Sequence, residues 1–327
     1  IFLPLTSFMG NPKTNILIIG LLATGSSAVI DLLREYENVH VIPGEFNDYR
    51  APGLVADQIN SNEPGEFKNE IAKLTGFKNK FRLFYGIFPV LQFNQGIFRG
   101  FNKRLNYSLA RVKQITLLNQ LNKELNSDIS TDEKIAHTTQ WIRKIGKTNN
   151  KDRKFVVFNQ PLLPANDIGI WRKVFSPFKL IVVYRNPYDQ FAEIVLRRNL
   201  MAPYNAPFLT LGSVTLETIY GRSRKSAFRF HIEAMHKRNE WIELLKAELN
   251  NDELLLVDFD DFASDNDRSR EIIQTFLGLT NDQHIRQKMH FDQNRARNSI
   301  NIYTKILNEE EIGWLTDLND WYLAFKK

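Results

Sequence analysis

Asn15-Ile16-Leu17-Ile18-Ile19-Gly20-Leu21-Leu22-Ala23-Thr24-Gly25-Ser26-Ser27-Ala28-Val29 is the stretch that decides the fold. Its first part is a short β-branched run closed by glycine, the pattern of a fully buried parallel strand. Gly20 and Gly25 then take the G-x-x-x-x-G spacing of a phosphate loop. From Ser26 to Arg34 a helix follows, with Ala28, Val29, Leu32 and Leu33 on its apolar side. Glycines at such a turn let backbone N–H groups close on an oxyanion, and the helix adds its free amides and dipole. The competing reading is a plain glycine turn with Ser26 as helix N-cap. Ser26-Ser27 stands where a nucleoside-triphosphate enzyme carries Lys-Ser or Lys-Thr, and that lysine is what reaches the β and γ phosphates. The loop therefore predicts a shorter phosphate ligand and argues against ATP hydrolysis.

Working outward, a second strand over Val39 to Ile42 ends at Pro43-Gly44, ahead of a loop with Glu45, Asp48 and Arg50. Strand, glycine turn, helix and strand open a βαβ unit, whose ligands bind at the strands' carboxyl ends. Residues from about 53 to 151 change character to Asn, Lys and Phe, with helical signals at Leu118, Leu121 and Leu125 and from Ile135 to Ile145. That region reads either as a helical insertion capping an acceptor site or as a packing layer over the sheet. Strands return at Phe155 to Phe158 and Lys179 to Tyr184, the second feeding Arg185-Asn186-Pro187 and a helix to about Arg198. Pro187 suits the first helical turn, where a missing N–H is harmless.

Farther on, Phe228, Ile232, Met235, Ile242, Leu245 and Leu249 recur at helical spacing as core residues. Leu254 to Val257 is the last strand, closed by Asp258. An apolar strand ending in Asp resembles the magnesium strand of P-loop NTPases. Without the loop lysine, Asp258, Asp260 and Asp261 read instead as caps of the next helix or as holding a loop at the sheet edge. The tail from Ile272 to Lys327 is expected to be helical except for an irregular basic stretch, Asn294 to Asn298. The expected architecture is a three-layer α/β fold of P-loop type: one domain over 1–327, with a mostly parallel sheet, helices on both faces and a helical cap.

The 327 residues carry a formal charge of +6 with acids nearly matching bases. That balance suits anionic small ligands or acidic glycans rather than nucleic acid, which wants a concentrated basic face. The absence of cysteine excludes disulfides, thiolate metal sites and cysteine nucleophiles. No apolar run reaches the roughly 18–20 residues of a membrane span. The expected compartment is the cytoplasm, although a first residue of Ile leaves room for a removed targeting segment. His231 and His236 are five apart, which does not put two metal ligands on one helical face. Oligomeric state is left open.

Three stretches resemble the sulfotransferases that use 3′-phosphoadenosine 5′-phosphosulfate, in the branch of glycan and protein-tyrosine enzymes. They are Ile16 to Leu33, Lys179 to Leu196 with its Tyr-Arg-Asn-Pro core, and Arg295 to Glu311. The resemblance implies transfer of a sulfuryl group from that donor to a hydroxyl, on a carbohydrate, with no metal. By it, Ala23, Thr24, Gly25, Ser26, Ser27 and Ala28 contact the 5′-phosphosulfate. Arg185 and the residue at Glu193 face the 3′-phosphate, and Arg295, Arg297 and Asn298 close over it. Glu45 is implied as the base that takes the acceptor's proton, with Asp48 as understudy.

The chain departs from the pattern at three positions. Ala23 replaces a Lys or Arg that steadies the leaving oxygen, Glu193 replaces a phosphate-binding serine, and Gln160 stands near a lysine of the protein-tyrosine branch. Loss of one such donor is worth roughly 3 kcal/mol in the transition state. Arg50, Lys13 and Lys78 are the candidate replacements. Two other readings follow: a catalytically silent binding protein on the same fold, and a nucleotide kinase or NTPase with an aberrant loop.

Overall fold

The computed structural model describes residues 13–20, 23–50, 54–60, 113–125, 128–147, 153–197, 223–287 and 289–327. Leu21, Leu22, Lys78 and most of the expected insertion lie outside the described residues. Five strands form one sheet: β1 (Thr14–Ile19), β2 (Val39–Glu45), β3 (Phe155–Asn159), β4 (Phe178–Tyr184) and β5 (Leu254–Asp258). Their order is β2-β3-β1-β4-β5, and β2 pairs with β3, and β4 with β5, in parallel. Helices intervene between the strands, so the fold is α/β with a parallel sheet flanked by helices. The central strand is β1, and Ile16, Leu17, Ile18 and Ile19 are all buried. Burying each such side chain contributes about 1.5–3 kcal/mol, which is why an uninterrupted apolar run marks a strand covered on both faces.

The end of β2 differs from expectation. Pro43-Gly44 does not end β2; the strand continues to Glu45, with a register shift against β3 between Val41 and Glu45. Val41 pairs with Val157 and Glu45 with Asn159, so four steps on β2 match two on β3. A bulge of this kind accommodates Pro43, which has no N–H to give the ladder, and Gly44, whose φ is +79°.

Contacts divide the chain into two compact units, residues 1–17 with 37–178 and residues 18–36 with 179–327. In the first, aromatic side chains build the core: Phe46 meets Phe158 edge-on at 4.9 Å and Trp141 at 5.3 Å, and Tyr49 meets Phe175 at 5.0 Å. Besides Asn47–Arg50, Val55–Asn60 and Ile168–Val174, its described helices are residues 113–125 and Thr131–Lys147, which cover the helical signals at Leu118, Leu121, Leu125 and Ile135 to Ile145. Thr131–Lys147 starts on a capping box, in which the Ser130 hydroxyl accepts from the Glu133 amide and the Glu133 carboxylate accepts from the Ser130 amide.

In the second unit, the helices Pro187–Leu196 and Arg224–Glu248 pack through Phe191, Ala192, Ile194, Ala227, Phe228 and Met235, with Leu307, Leu315 and Leu318 from the tail. The tail begins its helices earlier than expected, at Asn266–Leu277. The basic stretch expected to be irregular is a short helix, Gln293–Arg297, because Asp292 accepts from the Arg295 amide and caps it. No helix among the described residues is long and apolar enough to cross a membrane.

Candidate functional site

The turn after β1 is built so that only glycine fits at both ends. A Cβ on Gly20 would stand 2.2 Å from Thr24 Oγ1 and 2.6 Å from Ser26 Cβ. One on Gly25 would stand 2.1 Å from the Phe259 ring, and Gly25 has φ +92°, a left-handed backbone that side chains disfavour. Gly25, not Ser26, is the N-cap of the helix Ser26–Leu33, and no side chain caps that end. The reading of Ser26 as cap is thereby corrected: its position is the first helical residue. Thr24 is fully buried and its hydroxyl has no hydrogen-bond partner. An orphaned buried hydroxyl costs about 1–3 kcal/mol, a cost that an anion oxygen arriving at the helix end would remove.

Arg185 follows β4 directly and is carried into place by the next helix. Asn186 caps that helix by accepting from the Tyr188 amide, and Pro187 occupies its first turn. The Arg185 side chain is 2% exposed, which disposes of a surface ion pair. Its Nη1 donates to the Ala23 carbonyl at 3.4 Å and its Nη2 to the Ser299 carbonyl. The guanidinium stacks on Phe259 at 4.7 Å, and Nε lies 3.9 Å from Asp260 Oδ1 and makes no hydrogen bond. Burial pulls its pKa down from the usual arginine value, and the carboxylates of Asp260, Asp189 and Glu193 oppose that. Arginine starts so high that the charge stays. Loop, arginine and the Ser299 backbone therefore form one connected cluster within the second unit.

Four of its members were not anticipated: Phe259, Asp260, Asp189 and Ser299. Asp189 accepts from the Asn301 amide at 2.7 Å and the Tyr303 amide at 3.1 Å, so it fastens the backbone just beyond Ser299 to the Arg185 helix. The signal that could have found Asp189 is an acid in the first turn after Asn-Pro, a place suited to receiving amides.

The remaining expected residues fall as follows. Glu193 is mostly buried and accepts from Arg197 Nε at 2.6 Å. Arg297 donates to the carbonyls of Ala263 and Ser264, while Arg295 and Asn298 are exposed. Ser27 is exposed and Ala28 half-buried; the Ala28 amide donates to the Gly25 carbonyl at 2.8 Å. Of the three aspartates expected to cap the next helix or hold a loop, Asp258 is the cap, accepting from the Asp260 and Asp261 amides, while Asp260 and Asp261 lie within the helix's first turn. His231 is buried and His236 exposed. Among the described residues no three His, Asp or Glu side chains group as metal ligands would.

In the first unit, Glu45 is the last residue of β2 rather than a loop residue, and its side chain is 54% exposed. Its Oε2 accepts from Arg50 Nη2 at 2.7 Å, and Arg50 Nε donates to Asn47 Oδ1 at 2.8 Å. Burial lowers the Arg50 pKa from its ordinary value, and the Glu45 carboxylate holds it up. Asp48 is buried, Lys13 reaches the Gly146 carbonyl at 3.5 Å, and Gln160 is buried with φ +52°.

No protein-family model matches the chain, and no curated protein matches it. Among the solved structures similar to it are three sulfotransferases or sulfotransferase domains. The sulfotransferase domain of the Synechococcus PCC 7002 olefin synthase has 14% identity and a TM-score of 0.44, over 92% of this chain and 90% of that one. The Mycobacterium tuberculosis sulfotransferase STF1 has 14% identity and a TM-score of 0.41, over 89% and 77%. The chain is similar, finally, to the sulfotransferase domain from the curacin biosynthetic pathway, with 13% identity and a TM-score of 0.47 over 94% and 98%.

Proposed function

We propose that this chain transfers the sulfuryl group of 3′-phosphoadenosine 5′-phosphosulfate to a hydroxyl on a carbohydrate. The observation that carries the reading is the buried Arg185, bonded to the phosphate loop's own Ala23 carbonyl. A loop with an uncapped helix end and an orphaned Thr24 hydroxyl suits one anionic group. A buried arginine beside it suits a second, in a charge-assisted hydrogen bond. A donor carrying a 5′-phosphosulfate and a 3′-phosphate has both groups and has no γ phosphate to need the missing lysine.

In the reaction the acceptor oxygen attacks sulfur, the bond from sulfur to the bridging phosphate oxygen breaks, and the electron pair leaves with the 5′-phosphate. The loop amides, with Ser26 and Ser27, take up that charge. Glu45 receives the acceptor's proton. Arg50 Nη2 holds its Oε2 and so fixes the carboxylate's direction. Catalysis is then mostly positioning and electrostatics. The cysteine-free sequence suits a reducing compartment such as the cytoplasm.

Ala23 favours a second reading, a binding protein without turnover, since a methyl group offers no charge to the leaving oxygen. Calorimetric titration with 3′-phosphoadenosine 5′-phosphate, alongside ATP with magnesium, decides between them when coupled to turnover. The expected result is micromolar affinity for the former, none for ATP, and a loss of about 30-fold or more in Arg185→Ala, the range of a charged hydrogen bond. Glu45→Gln should keep that affinity and lose turnover. Equal affinity in wild type and Arg185→Ala would sink the assignment; binding without transfer to any hydroxyl acceptor would select the silent protein.

A further inference from the structure

Arg185 and Asp260 present an unusual pairing. Nε of the arginine and Oδ1 of the aspartate are both buried, both without a hydrogen bond, and 3.9 Å apart. Opposite charges at that range attract, yet a donor and an acceptor this close normally close to about 2.8 Å. The rest of each side chain is already engaged. The guanidinium is held by the Ala23 and Ser299 carbonyls and by the Phe259 ring. Asp260 accepts from the Tyr322 hydroxyl at 3.3 Å through its other oxygen. The arginine thus keeps one N–H in reserve, facing a carboxylate that neutralises its charge without occupying that donor.

We propose that Asp260 is the positioning residue of the anion site, an internal counter-ion that takes up a proton when a phosphate or sulfate group binds Arg185. The proposal rests on the reading above that Arg185 receives the donor's 3′-phosphate. Two anions cannot share one buried guanidinium without repulsion, and a carboxylate escapes that repulsion by protonation. The groups facing Asp260 point the same way. Asp258 on its own segment and Asp189 on the Arg185 helix disfavour its charge, Arg185 and Lys326 favour it, and burial is the largest influence. Lys326 is itself engaged with Asp258 at 3.3 Å and Asp261 at 2.7 Å. The balance raises the Asp260 pKa to about 6, so the proton comes within reach at neutral pH.

The linkage has a definite sign. Above pH 6 the free protein holds Asp260 mainly ionised, and binding must draw a proton from solution. Affinity for the anion therefore falls by about tenfold per pH unit above 6 until the bound-state pKa is passed. In Asp260→Asn the carboxylate is replaced by a neutral group of the same shape, and that dependence goes.

The test is titration of wild type and Asp260→Asn with 3′-phosphoadenosine 5′-phosphate at pH 6.0, 7.0 and 8.0, each in two buffers of different ionisation enthalpy. The ligand's own phosphate titration is common to both proteins, so their difference isolates Asp260. Expected are an affinity ratio of variant to wild type that climbs about fivefold from pH 6.0 to 7.0 and nearly tenfold from 7.0 to 8.0, and proton uptake by wild type that exceeds the variant's by about half a proton at pH 6.0 and about one at pH 8.0. The two-buffer measurement on wild type and on Arg185→Lys also stands alone should Asp260→Asn fold poorly. Equal proton uptake and parallel pH profiles in the two proteins would overturn the proposal and leave the donor site intact. Absence of binding in both at every pH would remove the donor reading and this inference together.

Discussion

Gly25→Ala should damage the protein far more than the same change at Gly278, although both glycines have positive φ, +92° and +66°. A left-handed conformation alone costs an alanine roughly 1–2 kcal/mol. At Gly278 nothing lies within 4 Å of the added methyl, so that is the whole effect. At Gly25 the methyl would stand 2.1, 2.3 and 2.7 Å from three atoms of the Phe259 ring, where contacts of about 3.5–4.0 Å are comfortable. The ring must retreat by more than an ångström, and overpacking of this kind costs about 1–3 kcal/mol more. Phe259 is also the surface on which Arg185 stacks, so the arginine moves with it. A total of about 2–5 kcal/mol corresponds to a fall in Tm of roughly 5–15 °C for a cooperative unit of this size. Thermal melts followed by circular dichroism measure it, with Gly278→Ala as the reference. On the proposed donor site, calorimetry with 3′-phosphoadenosine 5′-phosphate would report whether Arg185 has been displaced. Melting of the two variants within about 1 kcal/mol of each other would refute the packing argument, since backbone strain predicts that equality.

Glu35 is buried, accepts from the His290 and Phe291 amides at 3.0 Å each, and bonds His284 Nε2 at 2.7 Å. Glu35→Ala is expected to lower stability by about 3–5 kcal/mol in denaturant unfolding, because it strands two backbone donors together with a buried imidazole. The exposed neighbour Glu37 is the control, expected within about 0.5 kcal/mol of wild type on the same change. Stability itself should vary with pH through Asp260. A pKa raised from 3.8 to about 6 means the folded state holds the proton more tightly. The corresponding stabilisation, about 3 kcal/mol, is complete below 3.8 and lost as pH rises through 6. Asp260→Asn should therefore gain on wild type between pH 4 and 6.5 and run parallel to it above, and a constant difference across that range would contradict the assignment.

The sheet was legible because its strands are contiguous apolar runs that burial on both faces demands. Leu180 to Val183 is a clear case, with each residue at most 1% exposed. The misreadings have a common cause. Pro43-Gly44 and the 294–298 stretch were interpreted from residue type alone, yet what decides them is pairing with another segment. A bulge opposite β3 absorbs the first, and a five-residue helix under an Asp292 cap is too short to show any apolar period. The site divides along the same line. Gly20, Gly25 and Pro187 are dictated by local backbone geometry and could be read directly. Asp189, Phe259, Asp260 and Ser299 earn their places through contacts with residues distant in sequence, such as the 112-residue separation between Asp189 and Asn301.

Ala23 shows what such reading misses even at a residue it singled out. By the resemblance the position should carry a cation, and alanine there looks like a plain loss. In the structure Ala23 has φ +61°, a left-handed backbone that glycine would adopt more freely. A non-glycine residue held there stores about 1–3 kcal/mol of strain and persists only when its surroundings fix it. What fixes it is visible: its carbonyl is turned onto Arg185 Nη1. Ala23 therefore contributes through its backbone, by orienting the arginine, rather than through its side chain. A lysine placed there would add a charge but would have to keep that same strained backbone to leave Arg185 where it is. Restoring the expected cation is thus a change to the arginine's support as well as to the loop's charge.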